Sequence, residues 1–262
     1  MFQKRSSIRI FHDVLFSLIL RELKARIGLD RLGFLGMFIS PAIQMIGTMV
    51  IFTFLRARSI PGVDFPVFLL NGIVPYILFK NIALKGMEAV NANKALFAYK
   101  QIQPLDCILA RAVVESFLMI VIYAIFLFVL GFWMDFDIAI HYPLQWAYYM
   151  VCGALFCVGL AMLLSVLVQK VPESKLVVRI TFLPLYFMTG ILTPIWHLPQ
   201  TVQEFMAYNP FYHIIDLLRR SVFEFYPHTD TVSPNVPPTI ALITLAAGLL
   251  IYRYDRRSLA QA

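Results

Sequence analysis

Long apolar runs separated by short charged connections dominate the chain. Six of them qualify against the ~20 residues, each rising ~1.5 Å, that a helix needs to cross roughly 30 Å of hydrocarbon. They are Gly33–Leu55, which carries no charge, Phe65–Leu84, interrupted by Lys80 near one end, Cys107–Met134, charge-free after Glu115, Tyr142–Gln169, Ile180–Trp196 and Val236–Tyr254. The fifth run is short and holds Pro184, Gly190 and Pro194. The sixth opens on Pro237 and Pro238, which suit a first helical turn because its N–H groups have no partners there. Ahead of the runs, Ile8, Phe11, Leu15 and Leu18 share one helical face while Arg9, Asp13, Ser17 and Arg21 share another. That pattern predicts an amphipathic helix lying in the membrane interface. As a span it would be poor, since Asp13 and Arg21 would each cost about 2.5–3.5 kcal/mol near the bilayer centre. It is no cleaved signal either, because Val14–Leu20 runs straight into Arg21-Glu22-Leu23-Lys24 without a small-residue cleavage site.

Composition agrees with this reading. Of 262 residues, 60% are apolar and 14% charged, whereas soluble domains carry about 45–50% and 25%. No soluble core of this size hides so much hydrocarbon. The predicted fold is therefore all-α integral membrane: an interfacial helix over 1–32, then a six-span domain over 33–262. Cys107, Cys152 and Cys157 all lie in or beside apolar runs and read as packing residues.

The placement of the basic residues sets the orientation. Eighteen of the 22 Lys and Arg fall on one side: before the first run, in or around the second and fourth connections, or at the tail that ends the sixth run. The opposite side keeps Arg56, Arg58, Arg219 and Arg220. Both termini are expected in the cytoplasm.

Two connections are more than hairpins. On the basic side, helix-forming composition over about 88–103 predicts a coupling helix, with Glu88, Asn93, Lys94, Phe97, Tyr99 and Lys100 as its candidate contacts and Pro104 as its stop. Such a helix serves either as a lever for a soluble partner or as a surface helix resting on headgroups. The short turn containing Pro172 and Glu173 joins it as a second candidate contact. On the far side, about 199–226 shows two short helical patterns separated by Asn209-Pro210, a turn dipeptide. This stretch is too apolar for a free loop and too charged to span, so re-entrant helices between spans five and six are expected, provided protein or water satisfies the freed backbone.

Enzyme chemistry finds no support. The chain has no HExxH, Cys-x-x-Cys, GxSxG or glycine-rich phosphate loop, and its five histidines form no metal-spaced cluster. Arg111 and Glu115, four apart at the basic end of the third run, read either as a functional intramembrane ion pair or as a snorkelling arginine with a local counter-ion. Tyr76, Tyr186, Phe187 and Trp196 lie on the two runs broken by Pro or Gly. They either line a path for sugar rings or pack helices. Arg219 and Arg220, on the far side, are candidates to attract an acidic polymer.

Four stretches together resemble one family. RELKARIGLDRLGFLGMFISPAIQM (Arg21 to Met45), FPVFLLNGIVPYILFKN (Phe65 to Asn81), AYKQIQPLDCILAR (Ala98 to Arg111), and LPLYFMTGILTPIWHLP with NPFYHIIDLLRR (Leu183 to Arg220) follow in order along most of the chain. They are similar to the permease subunit of type 2 ABC exporters, in the branch that exports capsular polysaccharide from Gram-negative bacteria. The resemblance implies six spans in the inner membrane, a homodimer, two copies of a separate ATPase, and a periplasmic accessory protein. The absence of a P-loop points the same way: ATP and Mg belong to the partner ATPase, this chain binds no cofactor, and nucleic acid is no partner. Two copies about a two-fold axis would frame a polar path that six helices alone would not. Two other readings remain. One keeps the architecture and exports O-antigen, lipid, drug or haem. The other is a membrane-embedded enzyme acting on lipid-linked sugars, which needs a cluster of ionisable residues at one interface that the sequence lacks.

Overall fold

The computed structural model of the chain describes residues 7–27, 63–99, 101–261 and scattered positions between 39 and 50. The predicted first span at 33–55 therefore lies almost wholly outside the described residues, as do Arg56, Arg58 and Lys100. The described chain is helical nearly throughout: α1 (Ser7–Ile27), α2 (Phe65–Ala92), a 3-10 turn (Lys94–Ala98), α3 (Pro104–Trp133), α4 (Pro143–Lys170), α5 (Ser174–Phe187), a second 3-10 turn (Ile195–His197), α6 (Gln200–Met206), α7 (Pro210–Val222) and α8 (Val236–Gln261). Four of these, α2, α3, α4 and α8 through Asp255, are long and apolar enough to cross a bilayer. Proline opens the first turn of α2, α3, α4 and α7, where its fixed φ helps and its missing N–H costs nothing. At α3 a capping box adds to this: the Gln103 N–H donates to Asp106 Oδ2 at 2.8 Å.

α2 is the axis of the bundle. Every residue from Val67 to Phe79 is buried, with α3, α4 and α7 packed around it. A helix apolar on all sides belongs at the centre of such an assembly. Its internal Pro75 lacks the N–H that would bond the Asn71 carbonyl. Beside it the Asn71 side chain donates to the Val67 carbonyl at 2.9 Å and accepts from the Tyr123 hydroxyl at 2.7 Å. α4 packs its other side on α8 at a crossing of small residues: a Cβ on Gly159 would sit 2.6 Å from the backbone of Thr244 and Leu245. α3 and α8 turn Phe117, Ile120, Phe128, Leu242 and Leu250 outwards, as spans bordered by lipid do.

The two ends of the bundle differ. At one end Glu22 of α1 lies 3.3 Å from Arg111 of α3, Lys170 of α4 lies 2.7 Å from Asp255 of α8, and Tyr252 of α8 accepts from the Leu105 N–H at 3.4 Å. We call this the basic end. The other, the loop end, holds the α3–α4 connection and the C-terminal end of α7, whose Ser221 and Val222 carbonyls accept from the N–H groups of Tyr142 and His141.

Two expected boundaries change. No separate helix covers 88–103. Nothing between Leu84 and Asn93 breaks α2, so it runs on to Ala92, with Glu88 in its last turns. The break comes at Asn93, whose amide turns back on the Ala89 carbonyl at 2.7 Å. The 3-10 turn at Lys94–Ala98 and a short connection ending at Gln103 then separate it from α3. Likewise Ile180–Trp196 is not one helix. α5 starts earlier, at Ser174, and stops after 14 residues at Phe187, a length of about 21 Å. The chain reverses at Gly190, whose φ of 69° only glycine adopts without strain.

Because the α4–α8 crossing meets backbone rather than side chain, Gly159→Leu is expected to destabilise the protein by about 1–3 kcal/mol. Thermal unfolding in detergent would show this as a clear drop in Tm.

Candidate functional site

The short fifth helix is gripped at three levels. From mid-bundle toward the loop end, α7 takes carbonyls of its last turn and of the turn that follows. Helix termini leave carbonyls without intrahelical partners, and here Asn209 Nδ2 donates to the Leu185 carbonyl at 3.1 Å. The same asparagine caps α7 by accepting from the Phe211 N–H at 3.1 Å. Two and a half turns on, Arg219 Nη1 donates to the Gly190 carbonyl at 2.8 Å and Nη2 to the Ile191 carbonyl at 2.9 Å. Its Nε reaches the Phe68 carbonyl of α2 at 3.2 Å, and its guanidinium carbon sits 3.5 Å over the Phe68 ring. Arg219 is fully buried, and Gly72 leaves the room: any Cβ there would collide with the guanidinium.

The neighbouring charges are also satisfied. Asp216, fully buried, accepts from Arg220 Nε at 2.8 Å and from the Tyr226 hydroxyl at 2.9 Å. Arg220 also donates to the Thr229 carbonyl at 3.1 Å. Arg219 is thus no exposed attractor of polymer. The sequence shows two adjacent arginines in a far-side connection, but α7 is amphipathic, and its packing turns one of them into the core while the other pairs with Asp216 four residues earlier.

At mid-bundle the N-terminal end of α7 lies among aromatics from the centres of the long helices. The Phe211 ring stands 5.5 Å from Tyr76, 6.4 Å from Phe79, 5.3 Å from Phe156 and 6.1 Å from Phe182. α7 therefore rises from the middle of the bundle to its loop end. Tyr76, buried, donates its hydroxyl to the Phe182 carbonyl of α5, and its ring meets Tyr186 edge-on at 5.2 Å. Tyr76 is a packing residue. Tyr186 is half-buried and Phe187 is exposed, whereas Trp196 packs edge-on against Tyr226 at 4.8 Å.

At the basic end the third grip is electrostatic. Glu88 of α2 bonds Arg179 and stands 3.2 Å from Lys175, both on α5. This brings one candidate contact next to the exposed turn that holds Pro172 and Glu173. Lys94 and Tyr99 are exposed and Phe97 half-buried. Asn93 is buried and also accepts from Arg21 of α1, so it ties helices together and is not open to a partner. The expected Arg111–Glu115 pair also takes another form. Arg111 lies beside Glu22 and donates to the Lys85 carbonyl at 2.8 Å, while Glu115, buried, pairs with Lys85 at 2.8 Å. Together these four side chains fasten α1, α2 and α3. Glu22 and Asn209 were not legible as functional from sequence; the DLLRR spacing at Asp216–Arg220 was the one signal that pointed at the loop-end network.

No group of three or more His, Cys, Asp or Glu that would hold a metal occurs among the described residues. Near the loop end Asp64, Asp137, His141 and Glu224 line a cavity of ≈ 170 Å³. What these features describe is a multi-pass helical membrane protein whose fifth helix stops after 14 residues and is held by α2 and α7. Residues 13–223 match the family of ABC-2 type transporters, and the chain belongs to that family. It is 31% identical to the polysialic acid transport protein KpsM of Escherichia coli over 95% of its own length and 96% of that protein's. It is 26% identical to the capsule polysaccharide export inner-membrane protein CtrC of Neisseria meningitidis, covering 91% and 88% of the two chains. The O-antigen export system permease protein RfbA of Myxococcus xanthus is 25% identical over 92% and 89%.

Arg219→Gln would leave the Gly190 and Ile191 carbonyls without the guanidinium that serves them and is expected to cost about 3–5 kcal/mol. Arg219→Lys is expected to recover little of this, because an ammonium lacks the planar fork that reaches three acceptors. Arg220→Gln leaves the fully buried Asp216 carboxylate without its cationic partner and is expected to cost a similar amount. Thermal unfolding of the three purified variants would rank them.

Proposed function

We propose that this chain is the membrane subunit of an ATP-driven exporter that carries capsular polysaccharide across the bacterial inner membrane. The observation that carries the reading is similarity along nearly the whole chain to proteins named for polysaccharide transport, at comparable total length. The resemblance of the four sequence stretches supports it. O-antigen export is the second reading, favoured by the similarity to RfbA.

In this reading both termini and the basic end face the cytoplasm, in line with the Lys and Arg asymmetry. The span expected at 33–55 and α5 complete a set of six, and α6 and α7 are re-entrant from the periplasmic side. Two copies pair about a two-fold axis, with the apolar stripe Leu176, Val177, Ile180, Leu183 and Phe187 of α5, exposed in a single copy, turned toward the partner and the path. Two copies of a separate ATPase, which hold ATP and Mg, dock on the exposed 3-10 turn at Lys94–Ala98 and the turn at Pro172 and Glu173. A periplasmic accessory protein continues the path outwards. Closure of the ATPase pair pushes these turns. Through Glu88 the push reaches Lys175 and Arg179, so α5 moves as a lever and alters the width of the channel.

Lys94→Asp together with Tyr99→Asp, both at exposed positions, is expected to abolish co-purification of the ATPase and display of polymer at the cell surface. The folded protein should keep its thermal stability. Normal complex assembly and normal display would overturn the docking assignment.

A further inference from the structure

Among the described residues one cation that is not exposed stands outside every network described above. Lys80 lies on α2 within the apolar run Phe65–Leu84, five residues and so about 7.5 Å further from the basic end than Lys85. Lys85 has Glu115, Arg111 has Glu22, Lys175 and Arg179 share Glu88, and Arg220 has Asp216. Among the described residues Lys80 has neither an ion pair nor a hydrogen bond, and the charge it feels most is the like charge of Lys85. It is half-buried, the first residue of α2 after a wholly buried stretch to be so.

Its direction follows from its neighbours on the helix. Residues four apart share a face. Tyr76, one turn toward the loop end, bonds the Phe182 carbonyl of α5, and Glu88, two turns toward the basic end, bonds Arg179 and Lys175 of α5. Lys80 is therefore on the seam between α2 and α5. That seam gathers Lys175, Arg179 and Lys80 against the single carboxylate of Glu88, a surplus of two positive charges. An ammonium held toward hydrocarbon costs about 2.5–3.5 kcal/mol at depth. Unpaired ionisable groups in spans accordingly face wet cavities and mark the route of what is carried.

We propose that Lys80 binds the acidic groups of the transported polymer, as the deepest cation of a basic track that enters the α2–α5 seam at Lys175 and Arg179. The proposal rests on the reading of the chain as a polysaccharide exporter. It narrows the cargo to polymers that carry carboxylate or phosphate. The arrangement at the far end fits a one-way track: Asp64, Asp137 and Glu224 around the loop-end cavity do not retain an anion that has passed.

The test uses the complete transporter, this chain with its ATPase, in nanodiscs of phosphatidylcholine alone and of phosphatidylcholine with phosphatidylglycerol. The probes are a fluorescent oligogalacturonate and a neutral dextran oligomer of equal length. Lys80→Gln is expected to weaken oligogalacturonate binding about tenfold and Lys80→Arg to stay within about twofold of the parent. Dextran binding should respond to neither, and lipid composition should not matter. In cells, Lys80→Gln should lower surface polymer while the ATPase still co-purifies, and Lys80→Arg should restore display. Equal oligogalacturonate affinity of the parent and Lys80→Gln would overturn the proposal, as would equal losses for dextran or no binding of either oligomer by the parent. A loss confined to the discs with phosphatidylglycerol would assign Lys80 to anionic headgroups and overturn it too. Failure of the exporter reading shows separately, as undiminished surface polymer in cells lacking this chain.

Discussion

A helix that ends halfway through a membrane bundle leaves carbonyl groups with no water to take them, each a cost of several kcal/mol. In this protein the last turn of α5 is met by Asn209, Met188 and Thr189, and the carbonyls of the turn that follows by one buried guanidinium. Arg219 offers its planar fork to the Gly190 and Ile191 carbonyls and to Phe68, with the Phe68 ring beneath it. Asn209, at the other end of the same helix, takes the Leu185 carbonyl. α7 thus works as a splint along the broken end of α5. Its apolar face buries Phe211, Ile214, Ile215 and Leu218 in the core, while its charges find partners within a few residues. The break and the splint require each other: without α7 the stop at Phe187 would expose polar backbone, and without the break Arg219 would have nothing to hold.

The same logic orders the basic end. Arg111, Lys85, Glu22 and Glu115 come from three helices, so none of them is left alone in the bundle. Removing one member of such a group strands another, and a stranded buried charge is far more costly than the pair is favourable. This makes the α1–α2–α3 corner rigid. The α2–α5 seam differs, because its one carboxylate serves two cations that are substantially exposed, and pairs of that kind are weak. α5 is therefore joined firmly at the loop end and loosely at the basic end.

Much of this was readable from the residues. Apolar runs of the right length mark α2, α3, α4 and α8, because burial in lipid leaves little freedom in composition. Asn209-Pro210 marks the start of α7, since an Asx cap followed by proline has few other uses. The endings were harder. Leu84 looked like the end of a span because Lys85 follows it, yet Lys85 pairs with Glu115 and the helix continues. Ile180–Trp196 looked like one short span because hydropathy counts residues and not hydrogen bonds, and the stop at Phe187 depends on acceptors that α7 supplies from far along the chain. Arg219 looked exposed for the same reason. Its environment is made by Phe68, Gly72 and Gly190, which no local pattern connects.

In the proposed mechanism these contacts define how motion enters the molecule. A 14-residue helix is stiff over its length, so a push at Lys175 reaches Phe187 nearly undiminished. Midway, the bond from Tyr76 to the Phe182 carbonyl and the edge-on ring of Tyr186 hold α5 against the immobile axis α2. With the Asn209–Leu185 bond these contacts hold the last part of the helix, while Glu88 holds its start only loosely. In the proposed mechanism, displacement at the basic end is passed along this held part of the helix, and the turn through Gly190 absorbs it. The residue able to take such a change in backbone angles is Gly190, which already sits at positive φ, and the proposed mechanism places its hinge there, beside the Arg219 clamp.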